Sequence, residues 1–293
     1  MTAPVSAAPA TCRADTARYL RAAIVDHRRI ADRTWRIRLD CPDIAASAVP
    51  GQFAMLRIPD RSDPLLARPL AVYDTFADAG RPRHVDFIYL VHGKFTTALA
   101  TLAPGAELVV WGPLGNGFAP PAVDHLVLVA GGIGQTALLA LARERLDLSA
   151  YGSPARTAPR ARRVTFCWGA ATAARFGDVD DFRRAGCDVH LATLDGSAGT
   201  RGTVVDLLEA LGPAASRGSM HVACCGPEPM MAAVSRWAAA AGAGCDVSLE
   251  APMACGVGIC FTCVARVRDG AGGWDYRRTC IEGPVFAGDA IEW

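Results

Sequence analysis

The stretch His125-Leu126-Val127-Leu128-Val129-Ala130-Gly131-Gly132-Ile133-Gly134 decides the class of this chain. Leu126 to Ala130 is an unbroken apolar run, as a strand covered on both faces requires, and the glycines after it form a tight turn. Gln135 to Leu146 then has the composition of a good helix. Downstream, Val164 to Trp168, Asp188 to Thr193 and His221 to Cys224 read as strands, and Val204 to Leu211 and Pro229 to Ala241 as helices. Only a polar, Pro-rich insert, Tyr151 to Arg163, interrupts them. Strands alternating with helices predict a parallel sheet with helices on both faces.

Upstream of Pro120-Pro121 the grammar differs. Thr34 to Leu39 places Trp35, Ile37 and Leu39 on one face, and Gly51 to Ile58, His84 to Val91 and Glu107 to Trp111 are short apolar runs between Pro and Gly turns. Short strands at this spacing predict a small antiparallel barrel over roughly residues 19 to 118. Residues before that are rich in Ala, Pro and Thr, and a flexible segment is expected over 1 to 18.

Composition narrows the function classes. The 293 residues suggest about two domains, and 30 basic against 29 acidic residues, scattered, leave no basic stripe for nucleic acid. Met1 to Ala10 lacks the apolar core of a secretory signal, and glycines and polar residues break Leu126 to Ala142, so neither export nor a membrane span is expected. A cytoplasmic location with reduced thiols is the expectation, and the odd count of 11 cysteines argues against a full disulfide framework.

Four of those cysteines form the most specific pattern in the chain. Cys255, Cys260 and Cys263 give C-x4-C-x2-C, and Cys280 follows after sixteen residues. The spacing matches the plant-type [2Fe-2S] loop, and Gly256 and Gly258 supply the dihedrals that wrapping a cluster demands. A four-cysteine zinc site is the alternative, although zinc ribbons favour paired C-x2-C knuckles. The segment from about Cys245 is too short to hold a core unaided, so a metallic or covalent staple is expected there. Cys12, Cys41, Cys167, Cys187, Cys224 and Cys245 have no such spacing and read as small buried hydrophobes.

Weaker motifs concern nucleotides. Gly131, Gly132 and Gly134 either admit a pyrophosphate to the backbone or serve only close packing. Cys225-Gly226-Pro227 ends an apolar strand, which puts a thiol where open α/β sheets bind ligands. Arg68, in the strand-like run Leu66 to Val72, either clamps a phosphate or snorkels from the surface. Gly93 to Thr97 begins an apparent helix at Thr97 to Leu102, where free backbone N–H groups face either a phosphate or nothing but an ordinary cap.

Taken in order, these pieces resemble the ferredoxin-reductase superfamily over about residues 19 to 293. Pro50-Gly51-Gln52-Phe53 resembles its barrel entry and Gly112-Pro113-Leu114-Gly115 its barrel exit. Arg68-Pro69-Leu70-Ala71 resembles its flavin motif, Gly131 to Gly134 its pyridine-nucleotide turn and Cys225-Gly226-Pro227 its nicotinamide-side motif. The four-cysteine segment narrows the likeness to the electron-transfer subunits of type B, NAD-linked dihydroorotate dehydrogenases. The resemblance implies an α+β multidomain fold: an FAD-binding β-barrel (19–118), a Rossmann-like NAD-binding α/β domain (119–245) and a small [2Fe-2S] domain (246–293).

It implies further that Arg68 holds the FAD pyrophosphate while Pro69, Leu70 and Ala71 line the ring. Ile88, Tyr89 and Leu90 would contact the flavin, and Phe95 and Thr96 its phosphate. Gly131, Gly132, Gly134, Cys225, Gly226 and Pro227 would meet NAD(H), and Cys255, Cys260, Cys263 and Cys280 the cluster. The family's usual Ser, Arg and Gly are replaced here by Ala71, Leu90 and Phe95. No acid–base residue is implied in this chain, and its partner would be an FMN-containing dihydroorotate dehydrogenase subunit, two copies of each in a heterotetramer serving pyrimidine biosynthesis. A flavin subunit of another redox complex, such as a hydrogenase, a sulfide-linked oxidoreductase or a transhydrogenase, would carry the same motifs. A zinc-stabilised, non-redox binding module is the alternative of a different class.

Overall fold

A computed structural model describes residues 16–212 and 219–293. Most of the segment expected to be flexible, and Cys12 with it, lie outside the described residues. The chain opens with β1 (Arg18–Ala31), β2 (Thr34–Asp40), α1 (Pro42–Ser47), β3 (Phe53–Arg57), β4 (Arg68–Asp78), β5 (Arg81–Leu90), α2 (Lys94–Leu99) and β6 (Glu107–Leu114). The six strands form a closed barrel in the order β1-β2-β5-β4-β3-β6, every pair antiparallel. The long β1 escaped the sequence reading because its outward residues are Arg18, Arg21, Asp26, Arg28 and Arg29, which mask the buried Ala22 and Ile24. It closes the barrel by pairing with both β2 and β6, which leaves no free sheet edge.

The second half runs β7 (His125–Gly131), α3 (Leu139–Arg145), β8 (Arg163–Ala170), α4 (Val179–Arg184), β9 (Asp188–Thr193), β10 (Thr200–Arg201), α5 (Val204–Leu211), β11 (Met220–Cys225), α6 (Glu228–Ala240) and β12 (Gly244–Ser248). These strands are parallel, and every residue of β7 is buried, as its unbroken apolar run requires. The helix expected from Gln135 starts later: a tight 3-10 turn covers Gly132–Ala137, and α3 follows. Likewise α2 lies three residues earlier than the helix expected at Thr97 to Leu102.

The tail adds β13 (Val264–Arg268), β14 (Trp274–Arg278) and β15 (Val285–Ala287). β13 and β14 form a separate hairpin, while β15 joins β12 antiparallel, giving the main sheet the order β10-β9-β8-β7-β11-β12-β15. The domain limit expected between residues 245 and 246 therefore falls inside β12.

Barrel and sheet share one core, in which Tyr73, Ile88 and Phe118 pack with Leu126, Leu128 and Trp168. Two ion-pair centres cross the same junction. Fully buried Asp74 of β4 accepts from Arg143 and from the Tyr151 hydroxyl, both at 2.6 Å. Arg36 of β2 donates to Asp86 at 2.6 Å and to Asp178 and Asp181, each at 2.7 Å, at the start of α4. Among the described residues no helix is long and apolar enough to cross a membrane.

Candidate functional site

The two glycine-bearing turns expected to handle a nucleotide are packed against each other. Gly131 to Gly134 start at the last residue of β7 and Cys225 to Pro227 at the last residue of β11, adjacent strands at which the chain order reverses, where doubly wound sheets bind ligands. A Cβ at Gly134 would lie 2.1 Å from the Cys225 carbonyl oxygen, and one at Gly131 would lie 2.8 Å from Pro227 Cδ. Packing therefore uses Gly131 and Gly134. Gly132, at φ +54 with nothing within 4 Å of a Cβ, is the glycine left facing open space. Burial pushes the Cys225 thiol up to about 12, so it stays protonated near neutral pH.

Gly132 lines a cleft of about 170 Å³ between the sheet and the barrel. Thr34 and Leu90 wall it on the barrel side, with Ile133, Gln135 and Trp168 opposite. The Trp168 indole N–H donates to the Gly132 carbonyl at 2.8 Å and so fixes the turn. Gln135 and Trp168 were not picked out in the sequence. The available signal was a single Gln inside the apolar run Ile133 to Ala142.

On β4 the flavin-motif residues remain partly open: Arg68 is exposed, and Pro69, Leu70 and Ala71 are half-buried. Arg68 donates only to the Leu66 and Ala67 carbonyls and, among the described residues, to no carboxylate, so its charge is free. On β5 the alternation of a strand separates the expected residues. Ile88 packs into the core shared with the sheet, and Leu90 reaches the cleft. Tyr89 turns into the barrel, where its hydroxyl meets His27 Nε2 at 2.8 Å. Phe95 is also buried in the barrel core, so Tyr89 and Phe95 can offer a ligand only their backbone. Thr96 closes its own turn, accepting from the His92 N–H at 2.7 Å.

The C-terminal loop lies against the neighbouring barrel strands β3 and β6. Phe53, Met55 and Leu114 form a small core with Met253, Cys263 and Cys280, so the segment is docked by packing as well as by whatever its thiols bind. This packing adds to the metallic staple expected for the segment. The Trp111 indole donates to the Cys255 carbonyl at 3.0 Å, and Asn116 donates to the Val285 carbonyl at 2.7 Å. Cys263 and Cys280 are buried, Cys255 is half-buried and Cys260 is exposed.

Cys255 is a neighbour of Cys260, and Cys280 feels Cys263 first and Cys255 after it. Hydrogen bonds from Thr262, then from Cys255, hold the Cys260 thiol down at about 6, while burial and Cys263 push Cys280 up to about 12. The Val257 N–H points at Cys255 Sγ at 3.4 Å, a donor for a thiolate. Among the described residues no three His, Cys, Asp or Glu side chains converge on a single metal ion. Three thiols in one loop and a fourth just after β14 are a donor set that fits a two-iron centre, each iron taking two thiolates.

Comparison with known proteins agrees with this geometry. Residues 250–292 match the iron-sulfur cluster binding domain of dihydroorotate dehydrogenase B. The dihydroorotate dehydrogenase B (NAD(+)) electron transfer subunit of Desulforamulus reducens is 35% identical over 266 residues, 90% of this chain and 94% of that protein. Its Geobacillus thermodenitrificans counterpart is 36% identical, covering 92% of this chain and 98% of its own. Among solved structures, an NADH-dependent reduced ferredoxin-NADP oxidoreductase is 28% identical at a TM-score of 0.74, covering 93% of this chain and 90% of that one. Phthalate dioxygenase reductase shares the fold at 17% identity and a TM-score of 0.57, covering 93% and 96%. With such similarity along nearly its whole length, the chain is an oxidoreductase subunit and belongs to the family of dihydroorotate dehydrogenase B electron transfer subunits.

Proposed function

We propose that this chain carries electrons between NAD(H) and the FMN-bearing catalytic subunit of a dihydroorotate dehydrogenase, in a heterotetramer with two copies of each. The observation that carries the reading is the placement of the cysteine loop on β3 and β6, next to the strand that bears Arg68 to Ala71. When bound, FAD converts the two-electron exchange of NAD(H) into the single electrons that a [2Fe-2S] centre passes to the partner. Arg68, with its charge free, neutralises the FAD pyrophosphate, and Pro69, Leu70 and Ala71 bound the ring. Ile88 backs that strand from the shared core, Leu90 borders the cleft, the backbone of Tyr89 meets the flavin, and the backbone of Phe95 and Thr96 meets its phosphate.

Gly132 leaves room for NAD(H), Gly131 and Gly134 seat the turn on Gly226 and Pro227, and protonated Cys225 takes a positional rather than a nucleophilic role. Cys255 and Cys260 hold one iron, Cys263 and Cys280 the other. Nothing in this reading asks these residues to act on dihydroorotate. All described cysteines are unpaired, which suits a reducing, cytoplasmic location.

The test is an absorption and EPR spectrum of anaerobically purified protein before and after NADH. Flavin bands with a cluster signal that appears on reduction are expected; a colourless protein with one equivalent of zinc would overturn the reading. The 28% identity to a ferredoxin-NADP oxidoreductase favours a second reading, a flavin subunit of that kind of complex. Recovery of a ferredoxin-linked subunit, and of no FMN protein, in a pull-down would favour it.

A further inference from the structure

One row of directly opposed residues crosses four barrel strands: Tyr19 of β1, Trp111 of β6, Met55 of β3 and Pro69 of β4. Opposed residues on antiparallel neighbours project to the same face. Their chain neighbours Leu20, Val110, Leu56 and Leu70 pack into the barrel core, so by alternation the row lies on the outside. Tyr19 and Trp111 stack there with ring centroids 5.8 Å apart, and Met55 and Trp111 pack with the small core that contains Cys263 and Cys280. From within this row the half-buried Trp111 donates its indole N–H to the Cys255 carbonyl at 3.0 Å. Among the described residues this is the one side-chain hydrogen bond from the barrel to the loop Cys255 to Cys263; the other side chain that clamps a carbonyl there, Arg278 on Gly258, belongs to the tail itself.

The Cys255 carbonyl belongs to the peptide that joins Cys255 to Gly256. Glycine leaves such a peptide free to turn, and the following N–H, that of Val257, is the one aimed at Cys255 Sγ at 3.4 Å. A hydrogen bond to a ligating thiolate favours the reduced, more negative cluster and so raises its potential. We infer that Trp111 is a positioning residue for the cluster: by holding the Cys255 carbonyl it keeps the Val257 N–H on the thiolate and so sets the potential at which the loop accepts an electron. This rests on the reading of the loop as a [2Fe-2S] site. The spacing of the cysteines does not call for it, since the indole comes from 144 residues upstream, on a strand whose row also contains Pro69 of the expected flavin motif. The part is that of an outer residue that orients a ligand without touching the metal.

The experiment compares the parent protein with Trp111→Phe, which keeps a ring and removes the donor, and with Tyr19→Leu, which removes the stacking partner and keeps the donor. Each is purified anaerobically and measured for flavin content, iron content, and the midpoint potential and g values of the reduced cluster in an EPR-monitored titration. Trp111→Phe is expected to retain its flavin, to shift the cluster midpoint to lower potential and to alter the g values, while Tyr19→Leu keeps the parent's midpoint. Iron lost from Trp111→Phe with flavin retained is the same effect carried further and also supports the inference. A parent-like midpoint and spectrum in Trp111→Phe overturns it, and so does an equal shift in Tyr19→Leu, which assigns the effect to packing. Loss of flavin together with iron in Trp111→Phe overturns it as well, because the indole is then holding the barrel rather than the loop. Those three results leave the electron-transfer reading intact; a parent chain with no cluster signal on reduction overturns both.

Discussion

Met55 of β3 lies between Pro69 and Gly256. Across the β3/β4 ladder it pairs with Pro69, and a Cβ on Gly256 would stand 2.7 Å from its Cγ. One residue thus belongs both to the ladder with the expected flavin strand and to the packing of the loop that carries Cys255. Electron transfer between a flavin and a cluster needs them close and fixed, and the fully buried Met55 fixes the loop against the strand.

Gly256 cannot be replaced without moving that loop. Its φ of +74 is costly for any residue with a Cβ, about 1–2 kcal/mol, before the contact with Met55 is counted. Gly256→Ala is expected to lower the iron content of purified protein while leaving NADH-dependent flavin reduction within a few-fold of the parent. Full iron occupancy in the variant would show that the docking is looser than this geometry.

Cys260 is the exposed member of the four thiols, which puts it on the side open to a partner. Serine there keeps the volume and removes the soft ligand. Coupled electron transfer to the catalytic subunit should drop at least a hundredfold in Cys260→Ser, with dye reduction by NADH retained. An unchanged coupled rate would remove the cluster from the route.

The architecture was legible in the sequence wherever burial was one-sided or complete. The unbroken run Leu126 to Ala130 predicts the central strand that β7 is, and the spacing of Cys255, Cys260 and Cys263 singles out the loop. What stayed hidden depends on distant partners. The arginines of β1 conceal a strand that only its pairing with β2 and β6 stabilises, and nothing local tells that Tyr89 turns inward to His27 while Leu90 turns outward to the cleft. Gln135 is a polar residue in an apolar run, and nothing local tells that it ends up 1% exposed between sheet and barrel.

Cys225 gives a pH prediction with a definite sign. Burial first, then the nearby Glu250, raises its thiol to about 12, so the folded protein keeps the proton through neutral and mildly alkaline pH. The rate of flavin reduction by NADH should show no thiol ionisation between pH 6 and roughly 10, and Cys225→Ser should stay within about fivefold of the parent. An alkaline limb near pH 8.5 that the serine variant abolishes would mean that a thiolate takes part.

Arg36 joins the barrel to the sheet. Its side chain is 7% exposed and meets three carboxylates, Asp86, Asp178 and Asp181, and the Tyr73 hydroxyl donates to Asp181 at 3.0 Å. If Arg36 is lost, Asp86 keeps Arg38 and Asp178 keeps Arg28, whereas Asp181 keeps only the largely exposed Arg184 and the neutral Tyr73 hydroxyl. Arg36→Met should therefore cost about 3 kcal/mol of stability, read as a lower thermal midpoint, because it leaves mostly buried charge uncompensated. Adding Asp181→Asn removes part of that charge, so the double variant should recover some of the loss. If instead the two losses simply add, the centre is not acting as one network and the junction is held by the shared apolar core alone.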